Sequence, residues 1–330
     1  MRFVVILALA FALTGAGGGA AAARQTQVRD HLYAVDAADP QNVWAVGAFG
    51  TIFHSTDGGT TWNEQASGTT ESLFGVGFFD AKHGWVVGRS GVILRTQDGG
   101  QTWVKQVSGD TNHLFDVDAL SAERAVAIGD WGTILVTTDA GATWQKRSLD
   151  RDVILNAQSW IDADHGWIVG EAGLIVVSSD GGATWTEQTS NDIIKTLFGV
   201  TFVDAQRGWA VGLDGLIIHT DNGGAAWRVL RGRAELAAFE QVGAQEVAEN
   251  PTLFDIALVG SIGYAVGDSG SVFMSDASGL QWQRAKLPAD VSLRWIRGVS
   301  VARTGKGLMV GANGLTLPVS KAQIGAAETE

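Results

Sequence analysis

The chain has 330 residues, among them 44 Gly, 4 Pro, 13 Trp and no Cys, and a formal net charge of −12. The lack of thiols excludes thiolate chemistry, a disulfide framework and attachment through a lipidated Cys. The negative balance disfavours nucleic acid, whose binding rests on neutralising phosphates with Lys and Arg. Glycine at roughly twice its usual frequency, in a chain 45% hydrophobic, points to many tight turns around a large core rather than to disorder.

Met1–Ala23 has one positive charge, at Arg2, then an apolar run from Phe3 to Leu13, then small residues ending in Ala21-Ala22-Ala23. This is the layout of a secretory signal with an A-x-A cleavage site. An uncleaved membrane anchor is the alternative, although the strongly apolar run is short for a bilayer span. Nothing after residue 24 reads as a transmembrane helix. The mature chain is expected to be exported, to the periplasm or an equivalent extracytoplasmic compartment.

From Leu32 onward the chain repeats. Strand starts fall at Leu32, Leu73, Leu114, Leu155, Leu197, Leu253 and, less clearly, Ile296. Fifteen residues later, fourteen in the sixth unit, stands the first glycine of a G-x-x-G turn, as in Gly88-Arg89-Ser90-Gly91. Fifteen residues beyond that, six units place a Trp: Trp62, Trp103, Trp144, Trp185, Trp227 and Trp282. Glycine suits the hairpin because such turns need positive φ. Unit two therefore reads as four strands, Leu73–Phe79, Trp85–Val87, Val92–Arg95 and Trp103–Gln106. Repeats of about 41 residues with four strands each predict an all-β fold, a seven-bladed β-propeller over residues 24–318. A linear solenoid would have shorter repeats with fewer strands.

Two places break the rhythm. Twenty-five residues separate Trp227 from Leu253, where the first three units have ten. Within this insertion, about 231–251, Ala234–Ala248 carries good helix formers with Leu236, Phe239 and Val242 near helical spacing, and Asn250-Pro251 would stop a helix. A short amphipathic helix is expected there, with a disordered loop as the alternative. The seventh unit runs out after Leu315-Thr316-Leu317 without a fourth strand. Arg24–Arg29 is expected to close the ring by pairing onto Gly314–Leu317, although Pro318 cannot donate to a ladder. Residues 319–330 read as a loose tail.

Four units carry S/T-x-D-x-G-x-T-W in full, with Asp57 and Trp62, Asp98 and Trp103, Asp139 and Trp144, and Asp180 and Trp185. A short carboxylate in a turn accepts backbone N–H groups, the hydroxyl satisfies others, and glycine permits the reversal. The Trp then buries about 150–250 Å² between blades. One carboxylate recurring at the periphery of each blade is structural rather than catalytic or calcium-binding.

These turns are shared with bacterial neuraminidase repeats. The fuller pattern, G-W-x-V-G-x-x-G-x-I-x-x-T-x-D-G-G-x-T-W, is carried most completely by Gly84–Trp103 and resembles the photosystem II assembly and stability factor-like propellers. The likeness covers residues 32 to about 317. It implies an exported or lumenal seven-bladed propeller acting as a non-enzymatic, protein-binding assembly or stability factor for a membrane-protein complex, with a bacterial relative as the nearest description. The chain departs from photosynthetic members in lacking a lipoprotein Cys and in its insertion.

The competing reading is a carbohydrate-active enzyme or lectin of the sialidase-like type. A sialidase needs an Arg cluster, a Tyr nucleophile with a paired Glu, and an acid/base Asp. The two tyrosines, Tyr33 and Tyr264, both fall on repeat positions, and the F/Y-R-I-P segment is absent. No carboxylate pair stands off the repeat pattern, so no catalytic residue is assigned. The six histidines show no metal-ligand spacing. No metal or cofactor is expected, and the implied partner is a protein, a membrane-protein complex or transporter. Residues off the repeat locate its docking surface. The loops leading into each first strand share a face with the G-x-x-G hairpins, opposite the Asp-box turns. That face carries Trp131, Arg294, Trp295 and Arg297, with Arg231 and Arg233 flanking the insertion. Exposed aromatics with Arg typify protein-binding hot spots; packing of Trp131 and Trp295 against the insertion is the alternative.

Overall fold

The computed structural model describes residues 28–188, 193–232, 250–259, 262–302, 305–320 and 323–324. The proposed signal, the helix at 234–248 and residues 24–27 of the expected closing strand lie outside them.

The described residues form seven antiparallel four-stranded sheets, each a simple meander. Blade 1 runs β1 (Leu32–Ala37), β2 (Val43–Gly47), β3 (Ile52–Ser55) and β4 (Asn63–Gln65). The other innermost strands are β5 (Leu73–Phe78), β9 (Leu114–Ala119), β13 (Leu155–Trp160), β17 (Leu197–Phe202), β21 (Leu253–Val259) and β25 (Ile296–Val301). The second strand of a blade, such as the V-W-A-V-G of β2, is buried throughout, because each sheet is covered by a neighbour on either side. Fourth strands are short and largely exposed, as outer edges must be.

Adjacent blades are joined by seven apolar cores, one for each interface around the ring. Trp44, Val46 and Ile52 of blade 1 meet Leu73, Val76 and Phe78 of blade 2. Leu32, Val35 and Trp62 of blade 1 meet Leu308 and Val310 of blade 7, so an apolar core closes the circle. Trp62, Trp103, Trp144, Trp185, Trp227 and Trp282, in blades 1 to 6, each wedge against the preceding blade. Trp103 donates its Nε1–H to Gln65 Oε1 at 3.1 Å, and Trp144 donates to Gln106 Oε1 at 3.2 Å.

The hairpins use glycine differently from expectation. The first glycine is extended, with Gly47 at φ −168°; it is required because a Cβ there would lie 1.9 Å from the His31 carbonyl oxygen. That closeness lets the next amide, Ala48 N, donate to His31 O at 2.9 Å. The same clamp recurs in all seven blades, ending with Ala312 N to Trp295 O at 3.0 Å. Positive φ falls instead on the third and fourth residues, for example Trp131 at 55° and Gly132 at 63°.

The seventh blade also differs. Its third strand, β27 (Thr316–Ser320), runs on through Pro318, and a fourth strand follows, β28 (Gln323–Ile324), pairing with Val319 and Ser320. Part of the stretch read as a loose tail is thus blade. The N-terminal segment meets this blade at its hairpin, where Gly314 N donates to Asp30 O at 2.8 Å.

Candidate functional site

Two faces follow from the chain path. On one, the Asp-box turns lie against the loops between first and second strands: Gly58 N donates to Gln41 O at 2.9 Å and Gly99 N to Lys82 O at 3.0 Å. On the other lie the G-x-x-G hairpins and the loops entering each first strand.

The Asp-box turns are closed within themselves. In blade 2, Thr96 Oγ1 donates to Asp98 Oδ1 at 2.8 Å, Gly100 N donates to Thr96 Oγ1 at 2.7 Å, and the Thr102 amide and hydroxyl donate to Asp98 at 2.9 and 2.7 Å. Blades 1, 3 and 4 repeat this around Asp57, Asp139 and Asp180. Asn222 keeps the amide half of the pattern in blade 5, and Asp276 takes over one residue early in blade 6. The threonine hydroxyls and amides hold Asp98, Asp139 and Asp180 below the usual carboxylate range, Asp180 at about 2. In Asp57 partial burial works the other way but loses to the bonds from Thr61. Carboxylates held ionised cannot donate protons near neutrality, which fits a structural role. Asp98→Ala should lower the melting temperature by about 2 °C, the equivalent of about 1 kcal/mol for hydrogen bonds at an exposed turn. Partner capture measured beside it should be unchanged.

The histidines are likewise tied to the scaffold. His83 Nδ1 lies 2.9 Å from Asp80 Oδ2, and His165 Nδ1 lies 2.9 Å from Asp162 Oδ2. His54 stacks on Trp44, and His219 packs edge-on to Trp209. The hairpin amides of Ser90 and Asn313 donate to His113 and His31. Among the described residues no group of His, Asp or Glu could hold a metal ion.

The central channel holds carboxylates that do stand off the repeat pattern, contrary to expectation. Asp116 and Asp255 take the third position of β9 and β21, and Asp36 and Asp118 the fifth position of β1 and β9. Three of them stitch neighbouring blades. Asp36 Oδ2 accepts from Phe78 N at 2.8 Å, Asp116 Oδ2 from Gln158 N at 2.9 Å and Asp255 Oδ2 from Val299 N at 2.8 Å. Ser159 and Ser300 make the same link with hydroxyls, accepting from Phe202 N and Ala37 N. Some surface of each acid faces the channel, but protein atoms crowd it on all sides. Burial therefore pushes Asp36 and Asp116 up to about 6 and Asp255 to about 7, against the pull of the backbone bonds. Asp118 is raised well above the ordinary value by burial and by the charges of Asp116 and Asp36.

Above these acids, at the hairpin-face mouth of the channel, the second residues of the inner strands gather. Pairing skips that residue in each blade, as where Leu32 pairs with Gly47 and Ala34 with Val46, and the bulge re-aims the unpaired side chain. Tyr33, Phe74 and Phe115 follow one another at ring-centroid spacings of 5.7 Å, and Phe198 and Phe254 lie 5.9 Å apart. Asn156 separates the two runs, its Nδ2 donating to Leu197 O at 2.8 Å. Arg297 is the seventh member, its guanidinium 4.7 Å over the Phe254 ring. Protein atoms crowding its guanidinium at the mouth draw its pKa below the usual arginine value, although the side chain keeps an exposed edge.

The sequence-derived residues divide between this mouth and the rim. Trp295 is half-buried, stacked 5.9 Å from Tyr33 and tilted against His31 at 5.2 Å. It extends the aromatic ring outward and packs on blade 1. Trp131 stands at the tip of the blade 3 hairpin with 59% of its surface exposed. Arg294 is half-buried, and its carbonyl accepts from Gly270 N. Arg231 is structural: its Nη1 donates to Gly215 O at 3.0 Å and its guanidinium lies 4.1 Å over Phe273. Arg233 lies outside the described residues.

The chain has counterparts among known proteins. The profile of the family described as Photosynthesis system II assembly factor YCF48 matches residues 67–153 and 148–238, together just over half of the chain. The chain belongs to this family. Among solved structures, one described as YCF48 bound to D1 peptide is similar at 20% identity and a TM-score of 0.70, over 90% of this chain and 94% of that one. YCF48 from Cyanidioschyzon merolae is similar at 21% identity and a TM-score of 0.68, over 90% of this chain and 98% of its own. The WD40 propeller domain of Doa1 reaches a TM-score of 0.67 at 16% identity, over 90% of this chain and 95% of that one. At such identities these likenesses show the propeller fold. No curated protein matches.

Within this YCF48-family propeller, two features escaped the sequence reading. The aromatic mouth shows in the sequence as an aromatic directly after five of the seven strand starts, at Tyr33, Phe74, Phe115, Phe198 and Phe254, a pattern that reads as ordinary repeat. Phe49 occupies the hairpin position of Trp131 in blade 1 and is 75% exposed; the alignment of G-A-F-G with G-D-W-G would have found it.

Proposed function

We propose that the chain is an exported, non-enzymatic protein-binding propeller that serves in the assembly or stability of a membrane-protein complex, and that its partner docks on the hairpin face. The observation carrying this reading is the mouth itself. An aromatic ring extended by Trp295 and completed by one cation, Arg297, offers an apolar seat with a fixed charge at its edge. Family membership supports it, as does the relative described as bound to a D1 peptide. Export rests on the layout of Met1–Ala23, and a periplasmic or equivalent compartment follows from it.

Capture from the native envelope with mass spectrometry should return subunits of one membrane complex. Trp131→Ala and Arg297→Ala should each weaken that capture, by about 2 kcal/mol or roughly thirtyfold if the side chain is fully covered by the partner. Their melting temperatures should stay near the parent value, since neither side chain belongs to a blade core. Normal capture by both variants, with loss only on substitution of the Asp-box face, would overturn the choice of face.

A further inference from the structure

Seven inner strands line the channel, and their charged residues are Asp36, Asp116, Asp118, Asp255 and Arg297. Four carboxylates thus stand against one guanidinium. Among the described residues no Lys, Arg or His forms an ion pair with any of the four. Arg297 does not neutralise them, since it leans over Phe254 with Tyr33 beside it. The Asp118 carboxylate also accepts no hydrogen bond among the described residues. After burial, the charge of Asp116 helps raise Asp255 three blades away, so acids on opposite walls share one poorly screened space. Buried charge is ordinarily paired or fully hydrogen-bonded. Here it is only partly so, and the lack is of positive charge.

The loops around the mouth do not supply it. The hairpins carry Asp130, Glu171 and Asp268 against Arg89, and Asp214 is paired with Lys195. In sequence the insertion adds Glu235, Glu240, Glu246 and Glu249 against Arg233. Directly above the acids stand half-buried aromatic side chains, and Phe115 heads the strand that carries Asp116 and Asp118. Aromatic faces attract cations. A strand advances about 3.3 Å per residue, so Asp116 and Asp255 lie one step below the aromatic level and Asp36 and Asp118 three steps, roughly 10 Å. A lysine or arginine stem seated at that level spans the first distance and approaches the second. The acids are spread over three blades, and among the described residues they form no group that could hold a metal ion. A charge on a long, flexible stem suits them better. An acidic segment would be repelled, and a wholly apolar one would cover the acids without compensating them.

We propose that the mouth takes an extended segment of the protein partner and that one lysine or arginine side chain of that segment passes the Tyr33–Phe74–Phe115 run into the channel, toward Asp116 and Asp118. This rests on the reading of the mouth as the partner's seat and names the chemistry it selects. Arg297, on the far side of the mouth, is left for a backbone carbonyl of the same segment.

The probe is the peptide G-L-K-L-G, amidated at its C-terminus and carrying a neutral dye on an N-terminal linker, with fluorescence polarisation as the readout on the full chain. It should bind about tenfold more tightly than the same peptide with acetyl-lysine in place of lysine, and the glutamate peptide should bind least. Asp116→Asn combined with Asp118→Asn should weaken the lysine peptide about tenfold and leave the acetyl-lysine peptide unchanged. Glu64→Gln combined with Glu123→Gln removes the same charge from exposed positions outside the channel and should change neither. Asp118→Asn alone has no hydrogen bond to lose, so it keeps a folded test if the double variant melts early, and it should show part of the loss. A lysine peptide that binds no better than the acetyl-lysine peptide, or an equal loss with the glutamine pair, would overturn the proposal. Partner capture still weakened by Arg297→Ala would then show that the partner reading stands without it. Lysine-selective binding lost on neutralising 116 and 118, beside normal capture by Trp131→Ala and Arg297→Ala, would keep the cation site and remove the partner reading.

Discussion

Thermal stability should rise as the pH is lowered from about 8 to about 5. Asp36, Asp116, Asp118 and Asp255 have folded-state pKa values raised to about 6, about 6, well above the ordinary value, and about 7. The folded protein therefore binds protons that the unfolded chain releases, so stability from this source is complete below the unfolded value near 3.8 and is lost as pH rises through 6 to 7. Each such group contributes about 1.4 kcal/mol per pH unit over which it is protonated only in the fold. Discounted for partial solvent access and mutual coupling, about 3 kcal/mol between pH 8 and 5 is expected, or about 5 °C in a chain of this size. His54 and His219, lowered by burial, act in the opposite sense below their ordinary value of 6.5, but they are two against four. The Asp-box carboxylates are lowered, so their contribution is lost only on further acidification, as pH falls below 3.8 toward about 2. Asp118→Asn should raise the melting temperature at pH 8, leave it nearly unchanged at pH 5 and flatten the profile. An equal loss at both pH values would show that the Asp118 carboxylate is needed as such rather than tolerated.

Trp44→Ala should be the most damaging of the single aromatic truncations considered. Trp44 is fully buried, with its ring stacked 4.1 Å from His54 on its own blade and 3.6 Å from Phe78 on the next. Removing it leaves a cavity at the interface of blades 1 and 2 that strand pairing prevents from collapsing, a loss of about 3–5 kcal/mol. Trp131→Ala, at an exposed tip, should change stability by about 0.5 kcal/mol or less. Urea unfolding of the two variants measures both, and similar midpoints would contradict the assignment of one tryptophan to the core and the other to a surface.

The repeat was legible because closed packing imposes it. Each blade must bury a second strand on both faces and close its outer turn, so G-W-x-V-G and the Asp box return at fixed spacing whatever the protein binds. Other features were harder to see for physical reasons. The first hairpin glycine answers to a carbonyl such as His31 O, sixteen residues away in sequence at His31–Gly47, and local turn chemistry alone suggests a φ requirement it does not have. The channel acids are spread over blades 1, 3 and 6, and only the ring closure brings Asp36 toward Asp116 and Asp118. Pro318 argues against a continuing strand at the blade 7 edge, whereas β27 carries it opposite Leu308 and still extends to Ser320. Arg231 stands beside an insertion in sequence and reads as a candidate binding residue, yet it holds the blade 5 hairpin and covers Phe273.

The central claim is that the hairpin face does the work. Photo-crosslinking in the native envelope tests it most directly, with a benzophenone side chain placed at position 49, 131 or 293 on that face and at 60, 101 or 183 on the Asp-box turns. Crosslinks to one membrane complex from the first three positions and none from the second three are predicted. Adducts formed from the Asp-box positions, with the hairpin positions silent, would contradict the account.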